Sequence, residues 1–162
     1  MAFRTERGMS EPVATAAQWA TARREAEQTL VIGRHLFGPR HLTRYAGVRL
    51  HSLLYELRSS SDLWALYHRS LDGLIRYDKQ HDGRLLLTLE GYFAAQGNLT
   101  LVGERLKIHR TTLLRRLKRI GELTGLRLTH SEDALALQVA LEAHRVLLPD
   151  GTLSHQRFIP GG

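Results

Sequence analysis

Apolar residues recur at three- and four-residue spacings along nearly the whole chain, a period that predicts helices separated by short polar breaks. Ser10, Glu11 and Pro12 signal a first helix start, and an Ala-rich pattern with Trp19 and Ala22 runs to about Phe37, where Gly38 and Pro39 break it. A second helix is expected from Leu42 to Leu57, irregular at Gly47, with Val48, Leu50, Leu53, Leu54 and Leu57 facing inward. Ser59 to Asp62 reads as a loop that caps a third helix, whose core candidates are Leu63, Trp64, Leu66, Tyr67, Leu71, Leu74 and Ile75. Asp78 to Gly83 reads as a polar hinge. Near the end, Gly125 is an expected helix C-cap and Thr129 with Glu132 a capping box for the last helix. Leu135, Leu137, Ala140, Leu141 and Val146 of that helix would close the bundle, and Pro149 to Gly162 reads as a frayed tail. The fold class implied is all-α.

Between Asn98 and Gly125 the pattern tightens into two short amphipathic helices and a turn. Val102 and Leu106 share a face of the first, Ile108 sits in the turn, and Leu113, Leu117 and Ile120 form a seam on the second. The same rotation sends Thr111, Leu114, Arg115 and Lys118 outward. From Arg105 to Arg119 there are seven bases, Arg105, Lys107, Arg110, Arg115, Arg116, Lys118 and Arg119, and no acid. An inner apolar seam behind an outer basic face is the build of a helix-turn-helix, whose second helix offers its N-terminal residues to the DNA major groove. A plain surface hairpin is the simpler alternative, and the joint pattern argues against it. Gly103, at a cost of about 1 kcal/mol relative to Ala, is expected where the two helices cross.

Position then assigns roles. His109, Arg110, Thr111, Thr112, Leu114 and Arg115 lie where a recognition helix reaches base edges. Arg110 and Arg115 suit bidentate pairing with guanine, and suit a phosphate contact equally well. Thr112 serves equally as a helix cap. Leu114, apolar and outward, touches either a thymine methyl or a protein partner. Asn98, Thr100, Lys107, Arg116, Lys118 and Arg119 are placed for phosphates, which fix orientation without reading sequence. Lys107 occupies a turn position where the backbone is expected to be left-handed.

Composition agrees with a polyanion as partner. The formal net charge is +7 and the isoelectric point about 10.4, while 43% hydrophobic residues in 162 suffice for a core. There is no cysteine, hence no disulfide or thiolate zinc site. No two of the nine histidines are three or four apart, so none pair on one helical face as zinc ligands do. Asp78 and Asp82 flank His81 in what is more simply a polar loop than an ion site. No nucleophile, HExxH, GxGxxG or P-loop pattern is present, so no catalytic residue, metal or cofactor is expected. Neither a membrane span nor a signal peptide is visible, which makes the cytoplasm the default location.

The stretches LLLTLEGYF (85–93), GNLT (97–100), ERL (104–106), IHRTTL (108–113), RLKRIGELTGLRL (116–128) and SEDALALQVAL (131–141) together resemble the C-terminal helix-turn-helix of PucR/CdaR-type bacterial transcription regulators, a relative of the Fis fold. This chain has Val102 and Gly103 where that family usually shows an Ala pair, Thr111 where it shows Asn, and Leu114 and Arg115 where it shows Arg-Tyr. The departures lie at or beside the DNA-reading positions and bear on the target sequence. Upstream, RGMSEPV (7–13) resembles the last strand and exit of the degenerate GGDEF-like domain that precedes the helix-turn-helix in such regulators. The resemblance implies a connecting and dimerising region over 1–80, a DNA-binding domain over 81–148 and a tail over 149–162, with the sensory region absent. It also implies a nucleoid-bound activator of a catabolic or metabolite-responsive operon, with duplex DNA, a second copy of the chain and RNA polymerase as partners. Exposed apolar residues before residue 84, such as Trp19 or Trp64, are the expected dimer surface. A helical protein-interaction or oligomerisation module without DNA binding is the alternative, and a metal-dependent hydrolase a poor third.

Overall fold

The structure, a computed structural model, describes residues 7–10, 12, 14–37, 42–81 and 83–147. Its helices are α1 (Trp19–Phe37), α2 (Tyr45–Glu56), α3 (Ser61–His81), α4 (Leu85–Ala94), α5 (Leu99–Leu106), α6 (Arg110–Thr124) and α7 (Ser131–Leu147). The fold is all-α, apart from one short parallel pair of strands. In that pair β1 (Arg7–Met9) meets β2 (Leu42–Arg44) in the register Arg7 to Leu42, Gly8 to Thr43 and Met9 to Arg44. β1 lies where the sequence suggested a strand exit. β2 takes the first three residues of the expected second helix, which therefore starts at Tyr45.

By contacts the described residues divide into two compact units, one over 7–60 with 142–147 and the other over 61–141. In the first, α1 starts later than Ser10 because the Gln18 side chain reaches back to accept from the Ala14 and Thr15 N–H groups at 3.0 and 3.3 Å, fixing a short 3-10 turn ahead of it. Ala22, Thr29 and Ile32 of α1 and Val48, Ser52 and Leu54 of α2 are buried. Leu50, Leu53 and Leu57 are not inward as expected: they are 46%, 54% and 44% exposed. At about 100° per residue Leu50 and Leu53 fall roughly 200° and 140° around the helix from Val48, on the side opposite the covered stripe, and Leu57 lies in the 3-10 turn that follows α2. The end of α7 belongs to this unit, where Ala143, His144 and Val146 are buried and His51 of α2 meets the Glu142 carboxylate at 2.9 Å. Burial alone would raise the Glu142 pKa, but the His51 hydrogen bond and the Arg145 guanidinium outweigh it and hold the carboxyl below its ordinary value.

The second unit is built around Tyr67, Leu71 and Leu74 of α3, Leu85, Leu86 and Leu89 of α4, Ile120 of α6, and Leu137, Ala140 and Leu141 of α7. Most of the residues expected in the core are there, with Trp64 and Ile75 partly buried against it. Leu135 is the exception, at 60% exposure, since Leu137 and Leu141 already fill the inward stripe of α7. The Asp78–Gly83 segment is not a hinge, because α3 continues to His81 and Asp78 acts as a clamp. Its two carboxylate oxygens accept from the Leu85 and Leu86 N–H groups, each at 3.0 Å, and so cap α4, whose own N-cap residue Arg84 offers no side-chain acceptor. α3, which the sequence placed ahead of the boundary at 81, packs directly on α4 and α6. It lies close against α6 at Gly73, where an added Cβ would stand 2.9 Å from the Leu123 carbonyl oxygen. Gly38, Pro39, Glu11, Asp82 and the expected tail 149–162 lie outside the described residues.

Candidate nucleic-acid interface

Three local devices set the angle at which α6 is presented. Gln96 and Gly97, both left-handed at φ 51° and 78°, turn the chain out of α4. Asn98 then caps α5, its Oδ1 accepting from the Thr100 and Leu101 N–H groups at 3.1 and 3.2 Å. α5 ends in a Schellman motif, with Ile108 N–H on the Gly103 carbonyl at 3.0 Å and Lys107 N–H on that of Glu104 at 3.2 Å. Lys107 supplies the left-handed residue at φ 52°, as the sequence predicts. This wrap also relocates Gly103. The one atom an added Cβ would meet is the Ile108 carbonyl oxygen in the turn, at 3.2 Å, so Gly103 does not line the crossing of α5 and α6. Ala95, Val102 and Leu113 are buried together, with Ile108, Leu106 and Leu117 packed around them.

Fixed in this way, α6 has one apolar and one basic side. Leu113 and Ile120 are fully buried and Leu117 partly so, while His109, Arg110, Thr111, Leu114, Arg115 and Lys118 are exposed. The N-cap His109 makes no side-chain cap bond, and the first turn contains no acid. The other helices of this unit have Asp62 in the first turn of α3, the Asp78 clamp on α4, Asn98 on α5, and Glu132 and Asp133 at the start of α7. The first N–H groups of α6 are thus left for an external acceptor, at the positive end of the helix dipole and among exposed cations. A phosphate oxygen is such an acceptor. Thr112 is half-buried in the first turn and is not the cap.

The expected phosphate contacts divide into two sets. Thr100, Lys107 and Lys118 are exposed. Asn98 is exposed as well, although its Oδ1 is committed to the cap. Arg116 instead turns inward beside α4, where its NH1 donates to Thr88 Oγ1 at 3.4 Å. Burial, and then the charge of Arg84, hold its pKa below the ordinary arginine value. Arg119 donates to Glu122 at 2.9 Å and lies 5.0 Å over the Tyr77 ring, which in turn stacks on His81 at 4.4 Å. The bond to Glu122 is the main cause of its raised pKa. Sequence spacing gives no signal for Tyr77 or Gly73, and it places Asp78 only in a polar hinge, because its partners Leu85 and Leu86 lie seven and eight residues on, beyond the span of a local cap.

Among the described residues no three His, Asp or Glu side chains gather as a metal site, and no helix is long and apolar enough to cross a membrane. Residues 85–143 match the PucR C-terminal helix-turn-helix domain family. The chain is also similar to the carbohydrate diacid regulator of Escherichia coli, 36% identical over 76% of this chain and 31% of that protein. A DNA-binding transcriptional activator, AdeR, of Bacillus subtilis is 30% identical over 64% of this chain and 24% of its own length. The purine catabolism regulatory protein of the same organism is 32% identical over 58% and 18% respectively. The chain thus spans less than a third of the length of each of these relatives.

Proposed function

Residues 85–143 belong to the family of PucR C-terminal helix-turn-helix domains, and from that premise we propose that this protein binds duplex DNA with sequence specificity through α6 and thereby regulates transcription. The observation that carries the reading is the N-terminal half of α6. Its uncapped, acid-free first turn and its exposed Arg110, Thr111, Arg115 and Lys118 form one continuous surface suited to a polyanion that also displays base edges. Arg110 and Arg115 read bases, with His109, Thr111 and Thr112 beside them. Lys107, Lys118, Thr100 and Asn98 hold the backbone. Arg116 acts from behind, fixing α6 against Thr88, while the exposed Arg119 pairs with Glu122 and covers the Tyr77 ring at the edge of the same surface.

The names of two relatives, a carbohydrate diacid regulator and a purine catabolism regulatory protein, support a catabolic or metabolite-responsive operon as the target; a place in the bacterial nucleoid and RNA polymerase as a later partner follow only from the proposed role itself. A single helix-turn-helix covers few base pairs, so two copies on half-sites about one helical turn, roughly 34 Å, apart supply the affinity. The DNA-binding domain, expected over 81–148, is better taken as 61–141, since α3 shares its core and the end of α7 from Glu142 belongs to the first unit. No small-molecule pocket motif is present in the sequence, so the chain binds its operator equally with and without metabolites.

The test separates reading from anchoring. Titration of wild type and Arg115→Ala against a selected duplex and a scrambled one should show preference lost in the variant while scrambled-DNA affinity changes little, a discrimination loss of about 1–3 kcal/mol. Equal weakening on both duplexes would refute the base-reading role.

A further inference from the structure

Leu114 is 44% exposed in the second turn of α6, on its basic side. Its helical neighbours at −4, −3, +3 and +4 are Arg110, Thr111, Leu117 and Lys118, of which all but the half-buried Leu117 are exposed, and the adjoining Arg115 is exposed as well. Leu135 of α7, at 60% exposure, provides the contrast, with Ser131 and Glu132 at the corresponding −4 and −3 positions. An isolated surface leucine is ordinary. A leucine ringed by cations on the face turned to DNA is in a different situation, because whatever covers it must also satisfy three positive charges.

An apolar protein groove would cover Leu114 only by desolvating Arg110, Arg115 and Lys118 beside it, which is costly without paired anions. The DNA major groove offers phosphates and guanine acceptors for the cations and one apolar group at base level, the C5 methyl of thymine. Leu114 also lies in the N-terminal half of the helix, where base edges come within reach. On the reading of α6 as a recognition helix, we propose that Leu114 is a specificity-determining residue that packs on a thymine methyl group.

The chain is used to select its preferred sequence from a pool of randomised duplexes, and each thymine of that sequence is then replaced in turn by deoxyuridine, which removes only the methyl. Wild type should lose about fourfold in affinity at one thymine per half-site, the effect of burying one methyl-sized group. Leu114→Ala should bind the thymine and uracil duplexes alike at that position while keeping the wild-type circular dichroism spectrum and melting midpoint, as its exposure permits. Indifference of wild type to every methyl would overturn the proposal, as would a Leu114→Ala variant that still discriminates, since another side chain would then be the reader. Failure of the pool to enrich at all would overturn the DNA-binding reading itself, whereas enrichment without methyl dependence would overturn only the role of Leu114.

Discussion

α6 and α7 are successive amphipathic helices, each with an inward stripe of Leu and Ile or Ala and each with one exposed leucine, yet they differ at their starts. α7 opens with Glu132 and Asp133, and Asp133 accepts from the Arg127 N–H at 3.0 Å, the main reason its pKa is depressed. The first bond within α7, Ala134 N–H to the His130 carbonyl, makes His130 the N-cap, one residue beyond the expected Thr129. α6 has no such provision. Its N-terminal dipole and cations remain uncompensated by the protein. Helix stability alone favours an acid in the first turn, so leaving one out is a local sacrifice that makes sense when an external anion completes the helix.

The largest effect should come from giving α6 what α7 has. Thr111→Glu should stabilise the helix by about 0.5 kcal/mol through the dipole and weaken DNA binding by roughly 30-fold or more through like-charge repulsion. The reverse exchange, Glu132→Lys, should cost about 0.5 kcal/mol of stability and leave DNA affinity within about twofold. Chemical denaturation and fluorescence anisotropy on the same samples give both readouts. If both variants changed binding equally, the two helix starts would not differ in function.

Next in size is the support of α6. Gly73→Ala should destabilise the second unit by about 1–2 kcal/mol. Alanine's better helix propensity only partly offsets a Cβ 2.9 Å from the Leu123 carbonyl, which belongs to rigid backbone. A denaturation midpoint equal to wild type would mean that α3 and α6 separate easily.

The turns leading into the two helices make a smaller, paired test. The turn before α6 has left-handed Lys107, and that before α7 has left-handed Gly125 at φ 70°. Lys107→Gly should gain about 1 kcal/mol and Gly125→Lys lose about the same. The first should also weaken DNA binding by about threefold, if Lys107 reaches a phosphate. Urea titration of both variants checks the opposite signs.

The far end of α7 gives the smallest effect. His144 is buried there, and burial first, then the charge of Arg145, hold its pKa below the usual 6.5. The unfolded chain therefore takes up the proton more readily than the folded one, so stability is full above pH 6.5 and falls as the pH drops below it. Glu142, depressed from 4.5, adds a second loss of the same sign, which sets in as the pH falls below that value. Melting midpoints from neutral to acid pH should show both, and His144→Gln should remove the upper one. A midpoint that rose on acidification would contradict this assignment.

Helical periodicity made the elements of the second unit and the two sides of α6 legible, because both follow from spacing alone. Leu50, Leu53, Leu57 and Leu135 were misplaced, since a pattern shows that a residue is apolar but not whether a neighbour covers it. The Asp78 clamp was misread as a hinge for a related reason: its partners are seven and eight residues away, across a helix end, and no local propensity encodes that reach. Charge counting put Arg116 and Arg119 with the other bases of α6, and only packing against Thr88 and Tyr77 separates them. Gly103 fell in phase with Val102 and Leu106, but the Schellman wrap that brings Ile108 over it is a property of the turn.

The central claim, that α6 is completed by nucleic-acid phosphates, is tested most directly by the salt dependence of duplex binding. Leaving out Arg116 and Arg119, which pair within the protein, and taking about four of the other five bases to reach phosphates, log affinity against log salt should have a slope of about −3.5 per protomer. Thr111→Glu should make the slope shallower. A slope near zero, with or without measurable binding, would contradict the account.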